Sequence, residues 1–219
     1  MAPSVALRGI QSTRRDELFS RVIDAALGLF AERGYSGTSI PDVMAKAGIG
    51  AGSLYRLFES KEALVNAVFR DAKRRLERAL RDGLRDDLAP RERFDELWAR
   101  LGAFARNEPV AFRFLELQDH APYLDGESRQ VELTVLAPIV AACLDLQRRG
   151  VFRDGVGADV IMAFVWGAFV GLLKAERLGY VKLAPTALDV AGDACWRAFA
   201  TGHTATQGRK QKWKRPRPR

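Results

Sequence analysis

The chain has 219 residues, 47% hydrophobic and 28% charged, which suffices for one or two domains with a real core and excludes a fibrous or wholly disordered protein. Its formal net charge is +8, but Thr204 to Arg219 carries seven basic residues and no acid, so the charge outside that tail is near balance and does not by itself indicate nucleic acid. Cys143 and Cys195 form no C-x-x-C pair and no signal peptide precedes the first helical pattern, so a cytoplasmic protein with both thiols buried as small apolar residues is expected.

In chain order, residues 1–12 lack a periodic apolar face and read as a flexible arm. Arg8, Arg14 and Arg15 then have two open readings, phosphate contacts or solvated charges at a frayed end. From Thr13 to Arg33, Phe19, Val22, Ile23, Ala26, Leu27 and Phe30 recur at helical spacing. Gly34 to Gly37 ends that helix, with Tyr35 as an apolar plug. Thr38 is a suitable N-cap for a next helix whose first turn tolerates Pro41, and Ile40, Val43, Met44 and Ala47 mark its apolar face. Gly48 stands where the chain must reverse, a position that needs positive φ, and Ile49 anchors the turn. A second short helix is expected over Ala51–Phe58, with Leu54, Leu57 and Phe58 facing inward and Ala51, Gly52, Ser53, Tyr55 and Arg56 outward. Small residues allow close approach, hydroxyls and cations bind phosphate, and Arg can read a guanine edge. This is a helix-turn-helix with its reading helix second.

The string T-S-I-x-D-V-x-x-x-A-G-I-G-x-G-S-L-Y-x-x-F-x-S-K-E-x-L, Thr38 to Leu64, closely resembles the DNA-binding signature of TetR-type transcriptional regulators. Two positions depart from it: Met44 stands where the family usually has a small Ala, and Ala51 where a polar or basic residue is common. The resemblance implies an all-α protein, with a three-helix DNA-binding domain (13–60) joined by a long helix to a helical ligand-binding and dimerisation domain (61–202). Residues 203–219, basic, low in apolar content and broken by prolines, read from composition as a disordered tail. The resemblance also implies a homodimer on a pseudo-palindromic double-stranded DNA operator, usually a repressor released by a small-molecule effector, with activation left open. On that basis Thr38, Ser39, Tyr55 and Lys61 are expected at phosphates, and Gly52, Ser53 and Arg56, beside Ala51, nearest the base edges.

Ser60 reads as the N-cap of a long helix from Lys61 to about Asp86. Its apolar stripe is Leu64, Val65, Val68, Phe69, Ala72, Leu76 and Leu80, and Arg70, Lys73, Arg74, Arg78 and Arg81 form a solvated face paired with Asp71, Glu77 and Asp82. Further helices are expected over Arg91–Arg106, Pro109–His120 and Gly126–Arg149, the last containing Pro138. The segment FLELQDHAPYLD, Phe114 to Asp125, also looks like one found in a subset of TetR regulators. Val160 to Leu173 is apolar on every side but shorter than the about 20 residues of a bilayer span. It is therefore expected to face its own core on one side and a partner chain on the other, with no membrane association. Ala163, Gly167 and Gly171, with Ala191, Cys195 and Phe199 of a closing helix over Ala184–Ala200, resemble the family's four-helix dimer interface.

Effector-wall candidates are Trp98, Phe104, Phe112, Phe114, Tyr123, Met162, Trp166 and Phe169; aromatic residues at helical spacing are core packing more often than pocket wall, and as a wall they suggest an apolar or aromatic compound. Glu116 and His120, at i and i+4, are polar exceptions that could meet a ligand or a metal. A hydrogen-bonded structural histidine is the leading reading and no metal is expected. No G-x-S-x-G, Gly-rich phosphate loop or paired Glu-x-x-His is present, so neither an enzyme nor a cofactor is expected. Two other readings stay open: a DNA-binding dimer governed by abundance or a protein partner, and RNA or membrane-surface binding through the tail.

Overall fold

The computed structural model describes residues 4–202, with side chains from Arg14 onward. Among the described residues the chain forms helices α1 (Ser4–Arg33), α2 (Ile40–Ala47), α3 (Ala51–Tyr55), α4 (Lys61–Arg81), α5 (Pro90–Asn107), α6 (Pro109–Leu117), α7 (Gly126–Arg148), α8 (Ala158–Arg177) and α9 (Ala187–Phe199), and no strand. An antiparallel bridge, Phe152 with Ala200, ties the α7–α8 loop to the end of α9.

Several boundaries differ from expectation for local reasons. Residues 4–12, expected as a flexible arm, are the first turns of α1, and past Pro3 no proline interrupts them. Residues 1–3 and the basic tail from 203 onward lie outside the described residues. Helix α4 stops at Arg81, before Gly83 takes φ +68°. Helix α6 stops at Leu117 because Gln118 is extended (φ −117°, ψ 149°), so His120 is not on the helix that carries Glu116. Helix α8 runs 20 residues rather than the 14 of its apolar stretch, and α7 and α8 are long and apolar enough to cross a membrane by length and composition. Both are members of the bundle, α7 packing on α4 and α8, and α8 also on α9.

The core runs without a break from α1 to α3 across α4 into α5 and α6. Phe30, Phe69 and Phe114, one from each of α1, α4 and α6, are all at most 1% exposed, so the reading head shares its interior with the larger domain. A smaller cluster, including Cys143, Phe152, Ile161, Trp196 and Phe199, closes the far end. Helices α5 and α9 meet closely at Gly192, where a Cβ would lie 2.9 Å from the Trp98 indole. Trp98 Nε1 donates to the Leu188 carbonyl at 2.7 Å, so Trp98 braces α9 and is not free to line a pocket. Of the basic residues expected to be solvated on α4, Lys73 is only 6% exposed and pairs with Glu132 of α7 at 3.5 Å. Arg81 does pair with Glu77 along the helix at 3.0 Å.

Candidate nucleic-acid interface

The first motif helix, α2, is capped by Ser39 rather than Thr38. Ser39 Oγ accepts from the Asp42 amide at 3.2 Å, and the Asp42 carboxylate accepts from the Ser39 amide at 3.3 Å and hydroxyl at 2.7 Å, a reciprocal capping box. Those hydrogen bonds hold the Asp42 carboxyl below its ordinary pKa. Thr38 is 2% exposed and its hydroxyl donates to the Gly34 carbonyl at 2.9 Å. Its hydroxyl therefore closes the end of α1, and the phosphate contact expected of it is withdrawn. Ser39 stays exposed.

Gly48 adopts the left-handed conformation (φ +64°, ψ 44°) that ends α2, and the Ile49 amide reaches back to the Met44 carbonyl at 3.1 Å. That turn aims α3. Helix α3 is shorter than expected, ending at Tyr55, after which the Leu57 and Phe58 amides both bond the Leu54 carbonyl at 2.9 Å. Leu54 and Phe58 are buried, and the Phe58 ring sits 5.5 Å from that of Phe19. On the outer side Ala51, Gly52, Tyr55 and Arg56 are exposed and Ser53 is half-buried. A side chain at Gly52 would meet nothing within 4 Å, so bare backbone faces outward there. Arg56 Nη2 donates to Ser53 Oγ at 3.2 Å, laying the guanidinium along α3.

Lys61 opens α4, half-buried, with its Nζ 4.1 Å from the centre of the Tyr35 ring. The Tyr35 hydroxyl donates to Glu62, and burial together with that carboxylate pushes the phenol up to about 12. Two further rings stack on Tyr35: Phe30 of α1, with centroids 6.2 Å apart, and from the larger domain Tyr123, in the α6–α7 loop, at 4.7 Å. Asn66 of α4, 2% exposed, clamps the same loop. Its amide nitrogen donates to the Glu62 carbonyl at 2.9 Å and the Tyr123 carbonyl at 2.8 Å, and its oxygen accepts from the Asp125 amide at 2.9 Å. Arg70 adds an ion pair to Asp125 at 3.1 Å. Sequence reading missed Asn66, although an amide alone within the apolar stripe of a long helix is a signal.

The effector-wall candidates do not form one lining. Phe169 is fully buried with Trp98 and Phe112 edge-on to it at 5.3 and 6.0 Å, which is core packing. Tyr123 and His120 belong to the joint beside Tyr35. His120 Nε2 is 2.7 Å from the Phe114 carbonyl and Nδ1 is 2.7 Å from the Tyr123 hydroxyl; a carbonyl only accepts, so the proton is on Nε2 and Nδ1 accepts from Tyr123. Burial lowers the His120 pKa, in keeping with the neutral ring. Glu116 and Trp166 form a further pair, the indole donating to Glu116 Oε2 at 2.7 Å. Glu116 Oε1 is buried without a partner, and burial pushes its carboxyl up against the opposing pull of Lys73. Met162 is half-buried. Among the described residues no group of three or more His, Cys, Asp or Glu could hold a metal.

On α8, Ala163, Gly167 and Gly171 are exposed, and a Cβ at either glycine would meet nothing within 4 Å. The two glycines, but not Ala163, line a shallow apolar groove shared with α9, with Phe164, Leu172, Ala191 and Ala194 on its sides and Cys195, 4% exposed, in its floor. Phe199, expected at this interface, is instead 7% exposed in the second core cluster, edge-on to Phe164 at 5.3 Å. Both thiols are buried and unpaired, and burial raises their pKa values.

The model for "Bacterial regulatory proteins, tetR family" matches residues 22–68, and that for "Tetracyclin repressor-like, C-terminal domain" matches residues 69–201. The chain is 33% identical over 194 residues to the HTH-type transcriptional repressor KstR2 of Mycobacterium tuberculosis, covering 80% of this chain and 92% of that protein. A TetR family regulator from Marinobacter aquaeolei superimposes with a TM-score of 0.77 at 22% identity, covering 86% of this chain and 98% of that one. A putative regulator of the same family from Vibrio parahaemolyticus gives 0.69 at 26% identity, covering 83% and 97%.

Proposed function

The chain belongs to the TetR family of bacterial regulatory proteins, and from that premise we propose that it is a repressor that binds an inverted-repeat operator as a homodimer and releases it when a small apolar or aromatic molecule enters its C-terminal domain. Membership makes it a DNA-binding transcriptional regulator and not an enzyme. The observation that carries the reading is the outer face of α3: Ala51 and Gly52 keep the backbone bare for close approach, and Tyr55 and Arg56 stand exposed beside them. In the proposed complex α3 enters the major groove, Arg56 reaches a base edge, and Ser39, Tyr55 and Lys61 hold phosphates.

Two copies are required to read a two-fold operator, and the α8–α9 groove, with its strip of small residues, is where they would pair. The two α3 helices then occupy successive major grooves about one helical turn apart, or a multiple of it. Effector binding acts by tilting α4, which changes the separation of the heads against a rigid operator. Such a protein works in the cytoplasm, and the apolar outer side of α8 meets its partner rather than lipid.

Selection of bound duplexes from a random DNA pool tests this. An enriched inverted repeat, still enriched after residues 203–219 are removed, is the expected result. Enrichment of no sequence, or binding lost with the tail, would overturn it in favour of sequence-blind binding. A second reading, a dimeric regulator without a small-molecule inducer, draws support from the close packing of Trp98, Phe112 and Phe169, which leaves few of the expected wall residues available. Release of the selected duplex by members of an apolar and aromatic compound library separates the two.

A further inference from the structure

Lys61 is the first residue of α4, and the ring that supports it is backed in turn by the α6–α7 loop of the larger domain. Its ammonium lies over the Tyr35 ring, and Tyr35 stacks on Tyr123 at 4.7 Å with an interplanar angle of 28°. Tyr123 is held at three points: its hydroxyl by His120 at 2.7 Å, its carbonyl by Asn66 at 2.8 Å, and the Asp125 amide just beyond it by the same Asn66 at 2.9 Å. His120 is in turn fixed to α6 through the Phe114 carbonyl at 2.7 Å, with its ring edge-on to Phe69 and Phe114. The Tyr35 hydroxyl also occupies Glu62, the carboxylate next to Lys61 in the chain. That carboxylate keeps an electrostatic pull on Lys61, so Tyr35 and Lys61 share Glu62 as a neighbour.

We infer that Tyr123, fastened by His120 and Asn66, is a positioning residue for Lys61: by packing Tyr35 in place it keeps the lysine presented to a DNA phosphate, so the α6–α7 loop governs a phosphate contact in the reading head. The inference rests on the DNA-binding reading and adds a second route to it. A displacement of α6 that moves the Phe114 carbonyl carries His120 and Tyr123 with it and withdraws Tyr123 from Tyr35, loosening the ring beneath the lysine. Head spacing and phosphate contact then change together.

The test is the salt dependence of binding to the selected operator duplex, measured by fluorescence anisotropy over roughly 50–200 mM KCl. The proteins compared are the full chain, Lys61→Met, Tyr123→Leu and the double variant. A phosphate contact contributes about 0.9 to the slope of log K against log salt, so loss of Lys61 from both subunits of a dimer lowers its magnitude by about 2. Tyr123→Leu is expected to lower it by the same amount, and the double variant no further. A general weakening of the fold would reduce affinity without moving the slope. A wild-type slope for Tyr123→Leu, or losses that add in the double variant, would overturn the inference while leaving Lys61 at a phosphate. A wild-type slope for Lys61→Met would overturn the inference and the phosphate assignment together, and operator binding that survives would still uphold the regulator. Should Tyr123→Leu fail to fold, Tyr35→Leu decides by the same slope, since it removes the plate beneath the lysine directly.

Discussion

Arg56 lies back along α3 with its guanidinium on Ser53 Oγ, an exposed neutral-acceptor bond that a bidentate guanine edge readily replaces. Arg56→Ala is therefore expected to lower operator affinity by about 1–3 kcal/mol and to relax selection at one base position in each half-site. Competition with single-base operator variants reads this out, and equal loss on every duplex would make Arg56 a phosphate contact instead. Glu116 presents the opposite situation, a polar group with too few partners. Burial raises its pKa, so the folded state disfavours the carboxylate that the unfolded chain carries freely above the ordinary value of 4.5. Its cost is accordingly present at neutral pH and fades as pH falls through the folded pKa towards that value. Glu116→Gln keeps an oxygen for Trp166 and removes the charge. The expected outcome is a gain of about 1 kcal/mol near neutral pH, shrinking in acid, in urea unfolding followed across pH. A gain independent of pH would count against a buried charge as its source.

Helices were legible in this chain because apolar residues recur at 3.6-residue spacing, and their ends were less so. Thr38 and Ser39 are both good caps by residue type; Asp42, three residues beyond Ser39, decides between them by closing the capping box. Helix α6 ends at Leu117 although no breaker precedes Pro122, since the next residues join Asn66 and Tyr35 instead of continuing the helix. The α5–α9 contact was not legible at all. Gly192 is one of 19 glycines, and only the fold brings the Trp98 indole within 2.9 Å of where its Cβ would be. Trp98 is held by its bond to Leu188 and cannot simply withdraw. Gly192→Ala should therefore destabilise the protein by about 1–3 kcal/mol despite the better helix propensity of alanine, measured as a lower urea midpoint. An unchanged or higher midpoint would mean that α9 slides enough to admit the methyl.

At the scale of the whole molecule, the subunit leaves large apolar side chains on one side, Val160, Phe164 and Val190 each more than half exposed, beside a strip where two glycines face open space. Monomeric proteins rarely leave such a surface in water. A Cβ at Gly171 meets no atom within 4 Å, so Gly171→Leu should fold and keep its helicity, while the added side chain blocks a second helix from approaching. Sedimentation is expected to find the parent dimeric, as proposed, and the variant monomeric at the same concentrations, with operator affinity reduced at least tenfold, equivalent to about 1.4 kcal/mol. A variant that stays dimeric would place the interface elsewhere.

From its sequence alone this protein was legible as an all-helical regulator with a helix-turn-helix near its N-terminus, because cap, left-handed glycine turn and inward apolar triad are local features written within some 25 consecutive residues. The exposed face of α3 and the open strip on α8 follow from the same helical periodicity. Tertiary structure alone decided which aromatic residues are core, which are joint and which remain available. Trp98, Phe112 and Phe169 meet across three helices, and Tyr35 meets Tyr123 across 88 positions of chain. The same ring at the same helical spacing serves any of these ends, and what separates them is the partner that folding brings to it.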